Sequence, residues 1–476
     1  MSSRLFITTT LPYVNAAPHV GFALEIVQAD AYARFRRSLG DEVFFSTGTD
    51  EHGQKIAEAA KKAGEGVQAY VDRYADEVKK LRDALDLSTD NFIRTTDPHH
   101  IEAAQEMWRL CDAAGDIYKK AYTGLYCVGC ESFKTEKEIV DGTCELHPSL
   151  MLEEVTEENY FFRFSKYADY LLEYLSRPDV IIPEWRRAEA VTFVKGGLED
   201  FSISRESARL SWGVPVPGDD GQTMYVWFDA LTDYISTLGW PDDAAGNFKK
   251  FWLEGETLQM AGKDQVRFQS LMWQAMLKSA GIKATDRVFY HGFINSGGQR
   301  MSKSSGNVIS PYDLVQKYGT DATRYMLLRH VHPTEDSDVT WEKLDEWYEA
   351  GLANGIGNLA ARIMKLSEAH LLDGGTERSF LPSGQLADAM SRYDFSGAMN
   401  VIWDDIQVLD QRITIEEPFK LVKNNPEAGK GSIEQLRIGL SKIASSLQPF
   451  MPDTSKKILD AIVANKKPEN LFPRLG

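Results

Sequence analysis

The sequence predicts an α/β fold: a Rossmann-like parallel sheet, broken by an insertion that carries a cysteine cluster and followed by an α-helical bundle. Three observations carry this expectation. A βαβ pattern opens the chain, three cysteines (Cys127, Cys130, Cys144) crowd one short stretch, and nearly everything beyond Gly355 has helical periodicity.

The first strand is "RLFITTT", Arg4 to Thr10, a short β-rich run. "ALEIVQADAYARFRRSL", Ala23 to Leu39, spaces its apolar residues as a helix does, and "EVFFSTGTD", Glu42 to Asp50, returns to strand character. The stretch between strand and helix, "LPYVNAAPHVGF" (Leu11 to Phe22), is therefore a strand-to-helix turn, the place where open parallel sheets bind ligands. The helix-rich segments that follow fit crossovers. From about Lys119 to Gly221 the pattern changes to short strands and turns around the cysteines, which reads as an insertion. Sheet character resumes in "MYVWFDAL" (Met224 to Leu231), "LQMAGKD" (Leu258 to Asp264) and "RVFYHGF" (Arg287 to Phe293). Segments such as "NLAARIMKLSEAHLL" and "SIEQLRIGLSKIASSLQPFM" then build the helical end.

Length and composition bound the class. A chain of 476 residues, 43% hydrophobic and 26% charged, is too long for one core and splits into units of roughly 150 residues. There is no apolar run long enough to span a membrane, and the chain opens directly on a strand, so a cytoplasmic enzyme with no membrane partner is expected. The net charge of −17 argues against a nucleic-acid partner until its distribution is considered. From Gly355 onward 15 Lys and Arg balance 15 Asp and Glu, against 38 and 55 before it, so the helical end is neutral and has room for a local basic face.

Two stretches carry chemistry. In "PHVGF", His19 offers a ring N–H to a phosphate, Gly21 permits close approach and the helix N-terminus adds a field that favours an anion. In "GGQRMSKSSGNVISP", Gly297 to Pro311, Arg300 and Lys303 lie in a Gly- and Ser-rich loop, where a cation can follow charge onto a departing pyrophosphate. Together the two stretches resemble the paired HIGH and KMSKS signatures of class I aminoacyl-tRNA synthetases. Within that class, "TLPYVNAAPHVGF", "TGTDEHGQKI", "GLEDFSISR", "YVWFDAL", "GKD" and "RMSKSSGNV" resemble the methionyl-tRNA synthetase family over essentially the whole chain.

The resemblance implies a division of the chain. Residues 1–118 and 222–296 would form the two halves of the Rossmann catalytic domain, 119–221 the connective insertion, 297–354 the KMSKS and stem-contact region, and 355–476 the anticodon-binding bundle. It implies activation of L-methionine with ATP and Mg²⁺, then transfer to the 3′ end of tRNA(Met), including the initiator. His19, Arg300 and Lys303 would be catalytic, and His19, Gly21, Asp264 and Lys303 would hold ATP. Asp50 would bind the methionine ammonium, with Leu11, Tyr13, Trp227, Ala230, Tyr234 and Phe268 around the thioether, a polarizable group that suits aromatic walls. Asn358, Arg362 and Phe419 would read the anticodon by edge hydrogen bonds and stacking. The chain ends at "LFPRLG" without the appended domain some relatives use to dimerise, so a monomer is expected.

Three positions depart from the family's usual letters. Phe22 stands where the second histidine of HIGH is expected and cannot bond a phosphate, Arg300 replaces the first lysine of KMSKS with a planar fork, and Gln269 follows Phe268 where histidine is common. The cysteines read "CVGC" (Cys127, Cys130) and then "CELH" (Cys144, His147), two knuckles with the four soft ligands of a closed structural zinc site, which leaves Cys111 as a buried thiol. A non-catalytic tRNA-binding paralogue is the rival from a different class, separable by ATP–pyrophosphate exchange.

Overall fold

The structure, a computed structural model, describes residues 3–129, 132–134, 139–301, 308–374 and 380–475. In chain order the elements that matter are β1 (Arg4–Thr9), α1 (Val20–Ser38), β2 (Glu42–Thr49), β3 (Asn91–Arg94), α2 (Pro98–Ala113), β4 (Ile117–Cys127), β5 (Glu153–Phe162), β6 (Ile181–Ile182), β7 (Glu256–Gly262) and β8 (Arg287–His291). Six strands form one parallel sheet in the order β6-β8-β7-β1-β2-β3. Leu5 of β1 lies beside Val43 of β2 on one side and Glu256 of β7 on the other. The strand order reverses between β1 and β7, which opens a crevice at their carboxyl ends.

Alternation along the strands sends side chains into two cores. Leu5, Ile7, Leu258, Met260 and Phe289 face α1 and a core that runs on through the helical end to Ile462 and Phe472. Phe6, Ala261, Val288 and Tyr290 face the opposite way, against α2, Phe162 and Trp273.

The segment expected to hold only short strands and turns contains more. β4 and β5 pair antiparallel, from Ile117 opposite Phe162 to Tyr126 opposite Glu153. Beyond them come two helices, Ala168–Ser176 and Glu184–Lys195, and between these β6 returns to the main sheet as its edge beside β8.

The expectation that Met224 to Leu231 is sheet is also corrected. A strand of a small antiparallel sheet, Asp219–Met224, ends at Met224, and Val226–Ala230 is a short helix. A brief apolar run does not distinguish strand from buried helix. Here the buried Asp229 settles the matter, because its carboxylate is held by two histidines from other elements.

The helices that follow include α3 (Thr320–Arg329), α4 (Asn358–His370), α5 (Phe395–Glu416), α6 (Pro418–Asn424), α7 (Pro426–Leu447) and α8 (Pro452–Ala464). Asp394 caps α5 by accepting from the Gly397 N–H (2.8 Å). Glu417, in the left-handed region at φ 42°, breaks α5 from α6, which Pro418 then opens. Among the described residues no helix is long and apolar enough to cross a membrane.

Candidate active site

The turn after β1 does not leave the sheet at once. Tyr13 lies alongside Asp50 at the end of β2: Asp50 donates its N–H to the Pro12 carbonyl (3.1 Å) and Val14 donates to the Asp50 carbonyl (3.1 Å). This brings Leu11 and Tyr13, both half-buried, to the carboxyl edge of the sheet beside the buried Asp50. His19 then caps α1, its Nδ1 accepting from the Gly21 N–H at 3.0 Å. A Cβ on Gly21 would meet the His19 ring at 2.9 Å, so glycine is needed for the histidine to fold over its own helix.

An Nδ1 that accepts leaves the proton on Nε2, so His19 presents a neutral N–H donor. Its pKa is lowered, first by desolvation between the walls of the cleft and then by positive charge on His291 and Arg300; Asp264 opposes this. His19 thus lies within electrostatic reach of Asp264 after β7, His291 at the end of β8 and Arg300 on the hairpin beyond β8. Phe22 turns the other way, into the core under α1.

Asp264 lies in the turn after β7, exposed, with Gln265 donating to its Oδ2 (3.2 Å). Gly262 separates it from His291: a Cβ there would lie 2.7 Å from Asp264 Oδ1 and 3.7 Å from His291 Nε2. His291 is buried at the end of β8, with Nε2 2.9 Å from Glu25 Oε2 and Nδ1 2.7 Å from the Gly292 carbonyl. Glu25 in turn accepts through Oε1 from the Thr10 N–H (2.7 Å) and from the Thr10 hydroxyl. Arg300 sits on a hairpin, paired with Asn295, its guanidinium 4.7 Å over the Phe293 ring. Lys303 lies outside the described residues.

The aromatic residues form a wall. Trp227 and Phe268 stack with ring centroids 3.8 Å apart, and the buried Tyr234 accepts a hydrogen bond from Gln269 Nε2 (2.5 Å). Gln269 is therefore part of this wall, anchored through its backbone carbonyl by Gln274 (2.8 Å). Ala230, also buried, lies one residue from Asp229, which accepts from His52 (2.6 Å) and His100 (2.8 Å). Burial alone would raise the Asp229 carboxyl, but the two histidines outweigh it and bring it down to about 2. The His52 contact ties the Asp50 segment to the Trp227–Tyr234 segment, so two parts of the expected pocket share one buried anchor.

Between the end of β4 and β5, Cys127 Sγ and Cys144 Sγ lie 3.8 and 4.0 Å from His147 Nδ1. All three ligand atoms fall within 4.8 Å of one another. Tetrahedral bonds of ~2.3 Å to sulfur and ~2.0 Å to nitrogen have edges of about 3.5–3.8 Å, so the three fit one ion. A Cβ on Gly129 would strike the His147 ring at 2.5 Å, so this knuckle is shaped around the imidazole. Cys130 lies outside the described residues, and Cys111 is buried with its thiol pushed up to about 12 by burial.

In the bundle, Asn358 is exposed at the start of α4, and Arg362, one turn on, pairs with Asp410 of α5. α5 leads through Glu417 to Phe419, 43% exposed, with the Lys420 ammonium 5.9 Å from its ring. Sequence reasoning missed Glu25, His291, Asp229 and His100. A carboxylate one turn into an apolar helix and a histidine closing a strand were the signals for the first two.

A parallel sheet whose crevice gathers a helix-capping histidine, an aspartate and a hairpin arginine defines a class I synthetase architecture. A family model described as "tRNA synthetases class I (M)" matches residues 5–154 and 147–364. The chain is 38% identical to a methionine–tRNA ligase of Fusobacterium nucleatum, over 99% of this chain and 76% of that one. It is 40% identical to one from Mycobacterium tuberculosis, over 96% and 91%. A solved structure of the M. tuberculosis methionyl-tRNA synthetase in complex with methionyl-adenylate superimposes with a TM-score of 0.88 at 37% identity, covering 100% of this chain and 99% of that one. The chain belongs to the methionyl family of class I tRNA synthetases.

Proposed function

We propose that this protein activates L-methionine with ATP to methionyl-adenylate and transfers the methionyl group to the 3′ end of tRNA(Met), initiator included. The observation that carries the reading is the convergence of His19, Asp264 and Arg300, distant in sequence, on the crevice between β1 and β7. The methionine carboxylate attacks the α-phosphate and pyrophosphate leaves. His19 Nε2–H donates to phosphate oxygen, Arg300 and Lys303 receive the charge that builds on the leaving group, and Asp264 with Gly21 orients the nucleotide. Mg²⁺, when bound with the triphosphate, supplies further neutralisation of that charge.

Asp50 meets the ammonium, while Leu11, Tyr13, Trp227, Ala230, Tyr234 and Phe268 enclose the thioether. Asn358, Arg362 and Phe419 read the anticodon loop, the guanidinium being held in place by Asp410. Cys127, Cys144 and His147, with Cys130 as fourth ligand, hold one structural zinc; the donor spacing supports this. The protein acts as a cytoplasmic monomer, a reducing setting that favours a cysteine–histidine metal knuckle over disulfides.

The deciding experiment is ATP–pyrophosphate exchange with and without methionine, followed by charging of tRNA(Met). Methionine-dependent exchange is expected. Its absence, with tRNA binding retained, would favour the non-catalytic paralogue.

A further inference from the structure

Two buried charged residues at the floor of the crevice have no part in these roles: Glu25 on α1 and His291 at the end of β8. We propose that they are positioning residues for the activation step: His291, as an imidazolium, latches the first turns of α1, and with them His19, to the strand end that leads to Arg300. This rests on the reading of the crevice as the adenylation site.

With Glu25 ionised, the hydrogen bonds require the charge. The Gly292 carbonyl can only accept, so His291 Nδ1, 2.7 Å away, carries a proton. The Glu25 carboxylate can only accept as well, so Nε2, at 2.9 Å, carries another. Glu25 spends its other oxygen on the N–H and hydroxyl of Thr10, so one carboxylate joins the end of β1, the start of α1 and the end of β8. The far side of the latch is fixed too. Phe293 donates its N–H to Asp336 Oδ1 (2.9 Å), and Asp336 is bridged to Lys263, next to Asp264, at 2.6 and 2.8 Å. Against the Glu25 carboxylate, a neutral His291 has a single N–H and must release either Glu25 or Gly292.

The charged and titratable groups that face the ring are Glu25 from α1, His19 from the turn before it and Asp264 from the turn after β7. Burial pushes His291 down, but the bond and charge of Glu25, the Gly292 carbonyl and Asp264 outweigh it, and the ring is held above its usual value. A group raised in this way keeps its contribution at low pH and loses it as pH rises through the raised value. The latch should therefore open on the alkaline side, and removing the Glu25 charge should bring that opening to lower pH.

The test uses the full chain. Methionine-dependent ATP–pyrophosphate exchange is measured across pH for the wild type, Glu25→Gln and His291→Gln, alongside ring-carbon NMR of the histidines without substrates; the signal missing from His291→Gln identifies His291. The wild-type ring is expected to titrate above about 6.5. In Glu25→Gln its midpoint and the alkaline limb of kcat/KM for ATP should both fall by at least about one pH unit, a loss of about tenfold near the upper limb that recovers as pH is lowered. His291→Gln should lack that limb. A folded Glu25→Gln protein with the wild-type limb, or a wild-type His291 that titrates below about 6.5, overturns the latch. If Glu25→Gln does not fold, the wild-type ring titration decides alone. A wild type with no exchange at any pH refutes the proposed function, whereas an active wild type with unmoved limbs refutes the latch alone.

Discussion

Replacing Arg324 by methionine should uncouple the sheet from the helical end. Arg324 on α3 is fully buried, with Nη2 2.8 Å from Asp30 Oδ2 on α1. Its other contacts are carbonyls: Nε donates to Phe450 (2.7 Å), Nη1 to Leu85 (3.0 Å) and Nη2 to Pro449 (3.0 Å). One guanidinium thus joins α1, the segment after the second strand and the turn between α7 and α8. Methionine fills much of the volume but satisfies none of these acceptors.

Removing one partner of a buried pair costs about 3–5 kcal/mol. Asp30 keeps Arg34 (2.8 Å) and the N–H and hydroxyl of Ser88 (2.6 and 2.7 Å), which lowers the cost, whereas three stranded carbonyls raise it. About 3–4 kcal/mol results, a large share of a typical folding free energy of about 5–15 kcal/mol. Urea denaturation followed by circular dichroism should show the midpoint falling, with the bundle melting before the sheet. Burial raises the Asp30 carboxyl, but Arg324, Arg34 and Ser88 outweigh it and hold it below its usual value. Its stabilisation is present above the unfolded carboxylate pKa of about 3.9 and is lost as pH falls through the lower folded value, so the gap between wild type and variant should narrow in acid. A loss under about 1 kcal/mol at neutral pH, the range of exposed ion pairs, would refute the argument.

Three further outcomes are expected. His19→Ala should slow adenylate formation by about 2–4 kcal/mol of transition-state stabilisation, read by single-turnover kinetics, since it deletes one preorganised donor. One zinc per chain should be found by elemental analysis, and Cys144→Ser should lose it and lower the melting temperature, with exchange activity reduced far less than by His19→Ala. Phe419→Ala should weaken charging of tRNA(Met) by about 1–3 kcal/mol while ATP–pyrophosphate exchange stays at the wild-type rate, because the ring serves base stacking and lies outside the crevice.

The legible parts of this protein were those encoded locally. Alternation in β1 assigns Leu5 and Ile7 to one core and Phe6 to the other, and the His19 turn is a helix cap whose letters stand next to each other. Ligand spacing in the knuckle works the same way, since Cys144 and His147 approach through a tight turn. Reading failed where the outcome was set at long range. Met224 to Leu231 looks like a strand because nothing within it reveals that Asp229 must meet His52 and His100. Likewise "YHGF" does not reveal that its histidine meets a carboxylate on the first helix.

The first helix shows most clearly what periodicity conceals. Apolar residues at helical spacing suggest a helix with one solvated face, yet from Phe22 to Ala33 every residue of α1 is buried. Position 22 therefore belongs to the core, where the Phe22 ring packs among apolar side chains. The helix also carries Glu25, Gln28 and Asp30 into the interior, where most polar groups are bonded. Glu25 takes Thr10 and His291 and Asp30 takes Arg324, whereas Gln28 makes only a long contact from Nε2 to the Pro333 carbonyl (3.5 Å) and its Oε1 has no hydrogen-bond partner among the described residues. Glu25 and Asp30 thus clamp this buried helix to different parts of the chain: the ends of β1 and β8, and the helical end. A helix buried on all sides fixes the orientation of its own N-terminus, and His19 at that terminus inherits its precision from clamps one to three turns away.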